Sequence, residues 1–546
     1  MTTQTAAKYT DDELLSTEIK MAPEMFHFVK KEWHMYFDRA NHKWVRVNES
    51  GKAIITSLHA SGSIKKTVDE IVTQYNLPHI EVQKAILDFT RSMLDAKFFQ
   101  LGTFISKEVL YSYDENVRPK IVFYANTELC NLKCTYCYNE EERDTYQDYK
   151  QQMSTEQALW AMEELARFGT KAVAFCGGEP MVRKDTMSVA RYVRKLGMSP
   201  VLITNATLIT EENVAEIAEL YDLVWISLDS MNKEEHELTR GAGSFEPTWK
   251  AVHMLAEYKR KHNKPNSYIV NSVVTLKNYA TMPAMKKYLE GELGITQHRA
   301  VFYDNMYSEK KGYESEDVIG SILNKPKLLR ELEVNEVSIA HCGNEIPTLH
   351  LDKHDKIAIQ DATRKFHCGM GAGDIYLSSN GDLYPCQLLY HKEFLAGNVF
   401  VEGLEQAYLK SSIMTNCRDT TVDKIEVCKD CTVKYVCGGG CRAIAWGRTG
   451  DLAGHDKHAC GMLKKSAISG MWKDTMIPTE RFQETQERFH EGLEQIFSME
   501  KEENKYYFTE QHEKDLREMK AQILQEKDIV VPKTSKCATA AAGMEV

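Results

Sequence analysis

Alternation of short apolar strands with amphipathic helical patterns between Lys120 and about Asp304 predicts an α/β protein built on a parallel sheet. Two further observations bracket that sheet. An aromatic, β-branched stretch followed by three helical patterns, from about Met25 to Phe99, predicts a small α+β domain ahead of it; a Cys- and Gly-rich run from about Phe366 to Met462 predicts a ligand-scaffolded domain behind it. With 546 residues, the chain has room for two or three domains, each with its own core. The expected divisions are a flexible N-terminus (1–24), the small domain (25–110), the βα repeat (118–305), a bridging region (306–365), the Cys-rich domain (366–465) and a helical extension with a disordered tail (466–546).

In the first domain, "MFHFVKKEWHMYFDRANHKWVRVNES" reads as three short strands broken by the turn-like "RANHK". The helices that follow are "GKAIITSLHA", "TVDEIVTQYN" and "IEVQKAILDFTRSMLDAKFF", with Thr67 as the expected cap of the second. The βα repeat offers six strands: "KIVFYAN", "KAVAFCG", "SPVLITN", "LVWISLD", "YIVNSVVT" and "HRAVFYD". Helical patterns such as "STEQALWAMEELARFG" and "ENVAEIAELY" lie between them. Pattern alone leaves barrel-like and doubly wound closure open, but both put ligands at the C-terminal ends of the strands.

A formal net charge of −11 argues against broad nucleic-acid or anionic-membrane binding. No apolar run approaches a membrane span, and the start "MTTQTAAKYTDDELLSTEIK" lacks the apolar core of a signal peptide, so a cytoplasmic protein is expected. Fourteen cysteines in such a chain do not read as a disulfide framework, because cytosolic thiols are kept reduced. Ten of them fall in two clusters, which favours metal or metal–sulfur ligation; for scattered ones such as Cys176, burial as a small hydrophobe suffices.

Immediately after the first strand of the repeat stands "TELCNLKCTYCYNEE", with Cys130, Cys134 and Cys137 at C-x3-C-x2-C spacing. Three thiolates match a cuboidal iron–sulfur cluster with one iron left without a protein ligand. Such an open position marks catalytic rather than structural metal. Zinc is the alternative, but structural zinc takes four protein ligands and no adjacent His or Cys completes the set.

This spacing resembles that of the radical S-adenosylmethionine (SAM) enzymes, and further motifs follow in strand order. The second strand ends in "FCGGEP", where Gly177, Gly178 and Glu179 match the GGEP motif that in the family binds the methionine amino group of SAM. Thr204 and Asn205, in "TNAT", fall at a SAM-side position; Ser227 and Asp229, in "ISLDS", at ribose-binding positions; Arg240 where related enzymes meet the SAM carboxylate; and Tyr136 where an aromatic packs near adenine. The resemblance implies a partial (β/α)6 TIM-like barrel. Small glycines would let the methionine end approach, and a carboxylate and a guanidinium would pair its two charges.

Downstream, Cys368 and the "NGDLYPC" of Cys386 precede Cys428, Cys431, Cys437 and Cys441, with Cys460 completing seven. These spacings resemble the SPASM domain, which holds two auxiliary [4Fe–4S] clusters; a pair of zinc ribbons is the competing reading. Family ligation puts Cys428, Cys431, Cys437 and Cys460 on the distal cluster and Cys368, Cys386 and Cys441 on the proximal one. The proximal set is then one ligand short. Cys342 or Cys417 could complete it, or it could stay open to a substrate thiolate.

The first domain resembles the winged-helix-like leader-peptide recognition element fused to maturases of ribosomally made peptides, with an edge near "HKWVRVN" suited to an added strand. A structural cap on the barrel is the plain alternative. Together the resemblances imply a peptide maturase with three [4Fe–4S] clusters and SAM, a leader-bearing precursor peptide as partner, and an electron donor such as flavodoxin or ferredoxin. Hydrogen abstraction from the peptide would lead to intramolecular thioether crosslinks, as in sactipeptide and ranthipeptide maturases. Carbon–carbon crosslinking shares every motif. A sulfatase-maturing dehydrogenase would carry Asp directly after the second SPASM cysteine, where this chain has Gln387, and a non-catalytic metal-binding protein would not need GGEP in register with the triad.

Overall fold

The structure, a computed structural model, describes residues 9–23, 25–95, 98–103, 118–137, 139, 152–302, 338–340, 365–474, 510–526 and 530. The N-terminal domain runs α1 (Asp11–Ser16), β1 (Ile19–Lys20), β2 (Met25–Lys30), β3 (Trp33–Asp38), β4 (Lys43–Val47), α2 (Glu49–Ser61), α3 (Ile64–Tyr75), α4 (His79–Asp95) and β5 (Gln100–Leu101). Strands β2, β3 and β4 form an antiparallel sheet in that order, so β2 and β4 are both edges. The expected cap Thr67 is instead inside α3, where Ser57 donates to its hydroxyl at 2.9 Å; Ser63 caps the helix by accepting from the Lys66 N–H. Nor is 1–24 flexible throughout. Leu14 and Ile19 are buried against α2, α3 and α4, and β1 pairs with β5, because the helices leave an apolar seam that α1 and β1 close.

The central sheet comprises β6 (Ile121–Thr127), β7 (Ala172–Gly177), β8 (Ser199–Thr204), β9 (Leu223–Ser227), β10 (Ser267–Val274) and β11 (Gln297–Phe302), all parallel and adjacent in chain order. Sequential order with right-handed crossovers places every connecting helix on one face, which resolves the choice between barrel and doubly wound sheet in favour of a barrel-like wall. Helices α5 (Thr155–Arg167), α6 (Thr186–Lys195), α7 (Val214–Leu220), α8 (Lys233–Arg240), α9 (Phe245–His262) and α10 (Met282–Lys286) lie between those strands. Strand alternation divides the core. Val122, Tyr124, Val173 and Phe175 pack outward against helices, whereas Phe123, Ala125, Ala174 and Cys176 point inward.

The sheet is wider than six strands. β12 (Ser338–Ala340), in the segment expected to be a bridge, adds parallel to β11; β13 (Asp374–Leu377) adds parallel to β6 and continues antiparallel through β14 (Asp382–Tyr384) and β15 (Gly397–Asn398). The Cys-rich segment thereby grows out of the barrel wall. It continues as α11 (Ser412–Asp419), α12 (Lys434–Cys437), α13 (Arg442–Thr449) and α14 (Lys457–Asp474), and the chain returns as α15 (Glu510–Ile523). Among the described residues no helix is long and apolar enough to cross a membrane.

Candidate cluster and cofactor sites

β6 delivers the loop that carries Cys130, Cys134 and Cys137, and β7 holds that loop in place. The Gly178 N–H donates to Thr127 O and the Glu179 N–H to Leu129 O, both at 2.8 Å. A Cβ on Gly178 would stand 2.1 Å from Leu129 O, and one on Gly177 (φ +104°) 2.3 Å from Thr127 O. The sequence assigns these glycines to cofactor approach; on their Cβ side the chain's own cysteine loop already occupies the space.

Glu179 is 1% exposed. Its carboxylate accepts from the Thr204 hydroxyl and the Asn205 N–H, each at 2.7 Å, and from the Met181 N–H at 3.2 Å. Burial pushes this carboxyl up to about 7 against those hydrogen bonds. Asn205 also reaches the cysteine loop: its amide donates to Asn131 Oδ1 at 2.9 Å, and Asn131 donates to the Thr207 hydroxyl at 2.8 Å. Buried Ala206 sits between at φ +61°, a left-handed conformation costly for a residue with Cβ.

Asp229 and Arg240 meet each other. The guanidinium donates from Nε to Oδ2 and from Nη2 to Oδ1, both at 3.0 Å, and Asp229 also accepts from the Thr239 hydroxyl, the Val273 N–H and the Tyr136 hydroxyl. Burial opposes ionisation of Asp229, but the Arg240 charge and its hydrogen bonds win and hold the carboxyl below its ordinary value. The Arg240 guanidinium lies 5.5 Å from the Tyr136 ring centroid, and the Thr135 N–H donates to Thr239 O at 2.9 Å, so α8 clamps the cysteine loop from the far side. Ser227 ends β9, half-buried, two residues ahead of Asp229 in the chain. Every predicted SAM-side residue therefore lies at the C-terminal end of β6, β7, β8 or β9, or on α8 beside it.

One residue of the site gave no signal beyond its place in "TELC". Glu128 is fully buried, accepting from Asn139 Nδ2 at 2.7 Å and from the Ser379 and Tyr390 hydroxyls at 3.1 and 3.3 Å. It ties the triad loop to the segments on both sides of Cys386, and burial raises its pKa.

The thiols gather in three sets. Burial pushes Cys130 up to about 12, with Glu179, Cys134 and Cys137 adding to the effect. Cys428, pushed up to about 11 by burial, feels Cys437, Cys431 and Cys460; Cys386, raised by burial, feels Cys441 and Cys368. Cys417, fully buried on α11, lies beside Cys368, whereas Cys342 is outside the described residues. Cys176, also buried, faces inward near the C-terminal end of β7. The "CGGGC" loop is held by geometry only glycine adopts readily: Gly438, Gly439 and Gly440 have φ of +72°, +80° and +77°. The buried Arg442 braces it through Leu452 O at 3.1 Å and Gly454 O at 3.0 Å.

Among the described residues no three His, Cys, Asp or Glu side chains converge on a single-ion position. A cuboidal cluster puts each thiolate on a different iron and asks for wider spacing than one ion's shell, and the donor sets, all thiol and in groups of three or four, fit that demand. The N-terminal sheet adjoins one set: Met35 and Phe37 pack with Val433, Met471 and Trp472 around half-buried Cys431 and Cys437. Beside that contact a cleft of about 620 Å³ runs along β2, lined by Met25, His27, Tyr36, Arg39 and Asp430 among others.

Residues 126–277 match the radical SAM superfamily and residues 368–432 an iron–sulfur cluster-binding domain, SPASM. Among curated proteins the chain is similar to an AdoMet-dependent heme synthase of Methanosarcina barkeri, 28% identical over 61% of this chain and 94% of the relative. It is also similar to the antilisterial bacteriocin subtilosin biosynthesis protein AlbA of Bacillus subtilis, 26% identical over 63% of this chain and 73% of that protein. Among solved structures, Streptococcus suis SuiB bound to S-adenosylmethionine aligns with 80% of this chain and 99% of its own, at 16% identity and a TM-score of 0.45.

Proposed function

We propose that this chain, a radical SAM/SPASM enzyme, matures a ribosomally made precursor peptide by installing thioether crosslinks between cysteine sulfur and carbon. The observation that carries the peptide substrate is the N-terminal sheet, whose outer strands β2 and β4 pair with no further strand among the described residues and which docks directly on the Cys428–Cys437 loop. An extended leader added to such an edge gains backbone hydrogen bonds, and its following core would be delivered beside the redox module. The similarity to a subtilosin biosynthesis protein agrees with this; the similarity to a heme synthase shows that the family alone does not choose the substrate.

In this reading Cys130, Cys134 and Cys137 hold the SAM-binding cluster. When bound, cluster and SAM supply hydrogen-atom abstraction by one-electron chemistry. Glu179, oriented by Thr204 and Asn205, accepts the methionine ammonium. Tyr136, Ser227, Asp229 and Arg240 orient the nucleoside and carboxylate end, the Asp229–Arg240 pair acting as one preorganised unit. Each thioether removes a hydrogen atom from carbon and a proton and an electron from the thiol side. That electron needs an acceptor, a role we give to the Cys368/Cys386/Cys441 and Cys428/Cys431/Cys437/Cys460 sets. A reduced flavodoxin or ferredoxin is the donor class for the first cluster.

The test is anaerobic turnover with SAM, reductant and the precursor peptide encoded nearest the gene, read by tandem mass spectrometry. Loss of two hydrogens per crosslink, with cysteines protected from alkylation, is the expected result. The same mass loss with every cysteine still alkylatable would refute thioether formation and move the assignment to carbon–carbon crosslinking.

A further inference from the structure

The unfinished thiol set, Cys368 with Cys386 and Cys441, has a fourth cysteine in its wall. Helix α11 turns Met414, Cys417 and Arg418 inward, and Cys417 is fully buried. What α11 covers is the turn that follows Cys368. Arg418 donates from Nε to Gly371 O and from Nη2 to Tyr408 O, both at 2.6 Å, while the Tyr408 hydroxyl donates to Ala372 O at 2.9 Å. Gly371 is the pivot. Its N–H donates to Pro385 O at 2.8 Å, next to Cys386, and a Cβ built on it would lie 3.4 Å from Cys417 Cβ. Its φ of +70° suits glycine, which keeps the turn close to the helix. Three segments bearing Cys368, Cys386 and Cys417 thus meet around one glycine, and Cys441 joins them in the same apolar cluster.

A buried cysteine is by default an inert small hydrophobe. Cys176 is the example in this chain: it is buried near the C-terminal end of β7, facing the same inward cluster, and the charged group that acts on it is Glu128 and not another thiol. Cys417 differs because its Cβ faces Gly371 in the turn that follows Cys368 and because a buried guanidinium fixes its helix to that turn.

We infer that Cys417 is the fourth thiolate of the proximal auxiliary cluster, so that this cluster is closed by Cys368, Cys386, Cys417 and Cys441 and does not bind substrate sulfur. The inference rests on the reading that this set holds a cluster. On ligation the Cys417 thiol releases its proton to solvent and its sulfur bonds iron, with no change of oxidation state. With all four positions taken by Cys368, Cys386, Cys417 and Cys441, the set would hold a cluster able to accept the electron while leaving the substrate cysteine unligated. In thioether synthesis the sulfur would then meet the carbon centre free of iron.

The test uses the full chain, reconstituted anaerobically in a Cys130→Ala/Cys134→Ala/Cys137→Ala background so that only auxiliary clusters contribute. The probe is 13C-cyanide, read by hyperfine coupling in the reduced clusters. The parent is expected to show no 13C coupling, and Cys417→Ala to gain it. A second variant, Cys417→Ser, should keep the cluster and shift its spectrum if folding tolerates alanine poorly. Coupling already present in the parent would overturn closure, whatever the variants do. Coupling gained in Cys342→Ala but not in Cys417→Ala would overturn the choice of ligand. A parent that assembles no proximal cluster would remove the underlying cluster reading as well, an outcome visible in the iron content before any probe is added.

Discussion

At the scale of single residues, the triad loop is positioned by contacts that involve no cysteine. Gly178 sets how closely the end of β7 approaches Leu129, and a methyl group 2.1 Å from a carbonyl oxygen cannot be absorbed without moving the loop. Gly178→Ala is expected to cost about 1–3 kcal/mol, as overpacking does. It should also abolish the SAM-induced change in the first cluster's electron paramagnetic resonance while the auxiliary signals persist. Loss of every signal together would show that the loop and the Cys-rich domain fold as one unit. Glu128 tests the opposite case, a polar group whose removal strands its partners. Glu128→Ala removes the buried acceptor shared by Asn139, Ser379 and Tyr390 and should lower stability by about 1–3 kcal/mol in urea titration; Glu128→Gln, which keeps an acceptor oxygen, should cost less.

Among the elements, α15 is the one whose address the sequence could not supply. Its charged, amphipathic pattern announces a helix with one apolar face but not the surface that face meets. The structure lays it on the barrel exterior, with Leu516 and Ile523 buried, Lys195 bound to Asp515 at 3.2 Å and Lys520 to Glu163 at 3.0 Å. Ile523→Ala should destabilise by about 2–4 kcal/mol, whereas Lys195→Ala, breaking a partly exposed ion pair, should cost less than about 1 kcal/mol; urea midpoints of the two variants separate the contributions. The same limit explains what else was and was not legible. Six barrel strands could be read because each is a run of five to eight residues bounded by turns. β12 and β13, at three and four residues, are too short for periodicity to register. Ser63 and Thr67 are both acceptable caps, and the hydroxyl of Ser57, six positions upstream of Ser63, decided between them. Asp229 and Arg240 were each marked by position along the chain, but their mutual pairing depends on how α8 folds back over β9, which no spacing encodes.

Over the whole molecule, buried ionisable groups of opposite sense make acid stability a balance. Glu179 and Asp374 are pushed up by burial to about 7, so each favours the folded state at low pH and loses that advantage as pH rises towards 7. Buried histidines act the other way. His298, on β11, is fully buried and shares a 2.8 Å hydrogen bond with the Ser272 hydroxyl across the sheet; burial, then Lys286, lowers it to about 3. The unfolded chain takes its proton near pH 6.5 and the folded one does not, so its stabilising effect is whole above that value and falls as pH drops towards 3. The slope for one such group is about 1.4 kcal/mol per pH unit. Raised carboxyls mask this in the parent, so the expected signal is a difference. Against His298→Gln, which keeps a hydrogen-bonding amide but cannot charge, the parent should lose relative stability at close to that slope between about pH 6 and pH 4, read from urea midpoints of matched preparations. Parallel pH profiles for the two proteins would show that His298 charges in the folded sheet as readily as in the unfolded chain, and that this edge of the barrel is open to water.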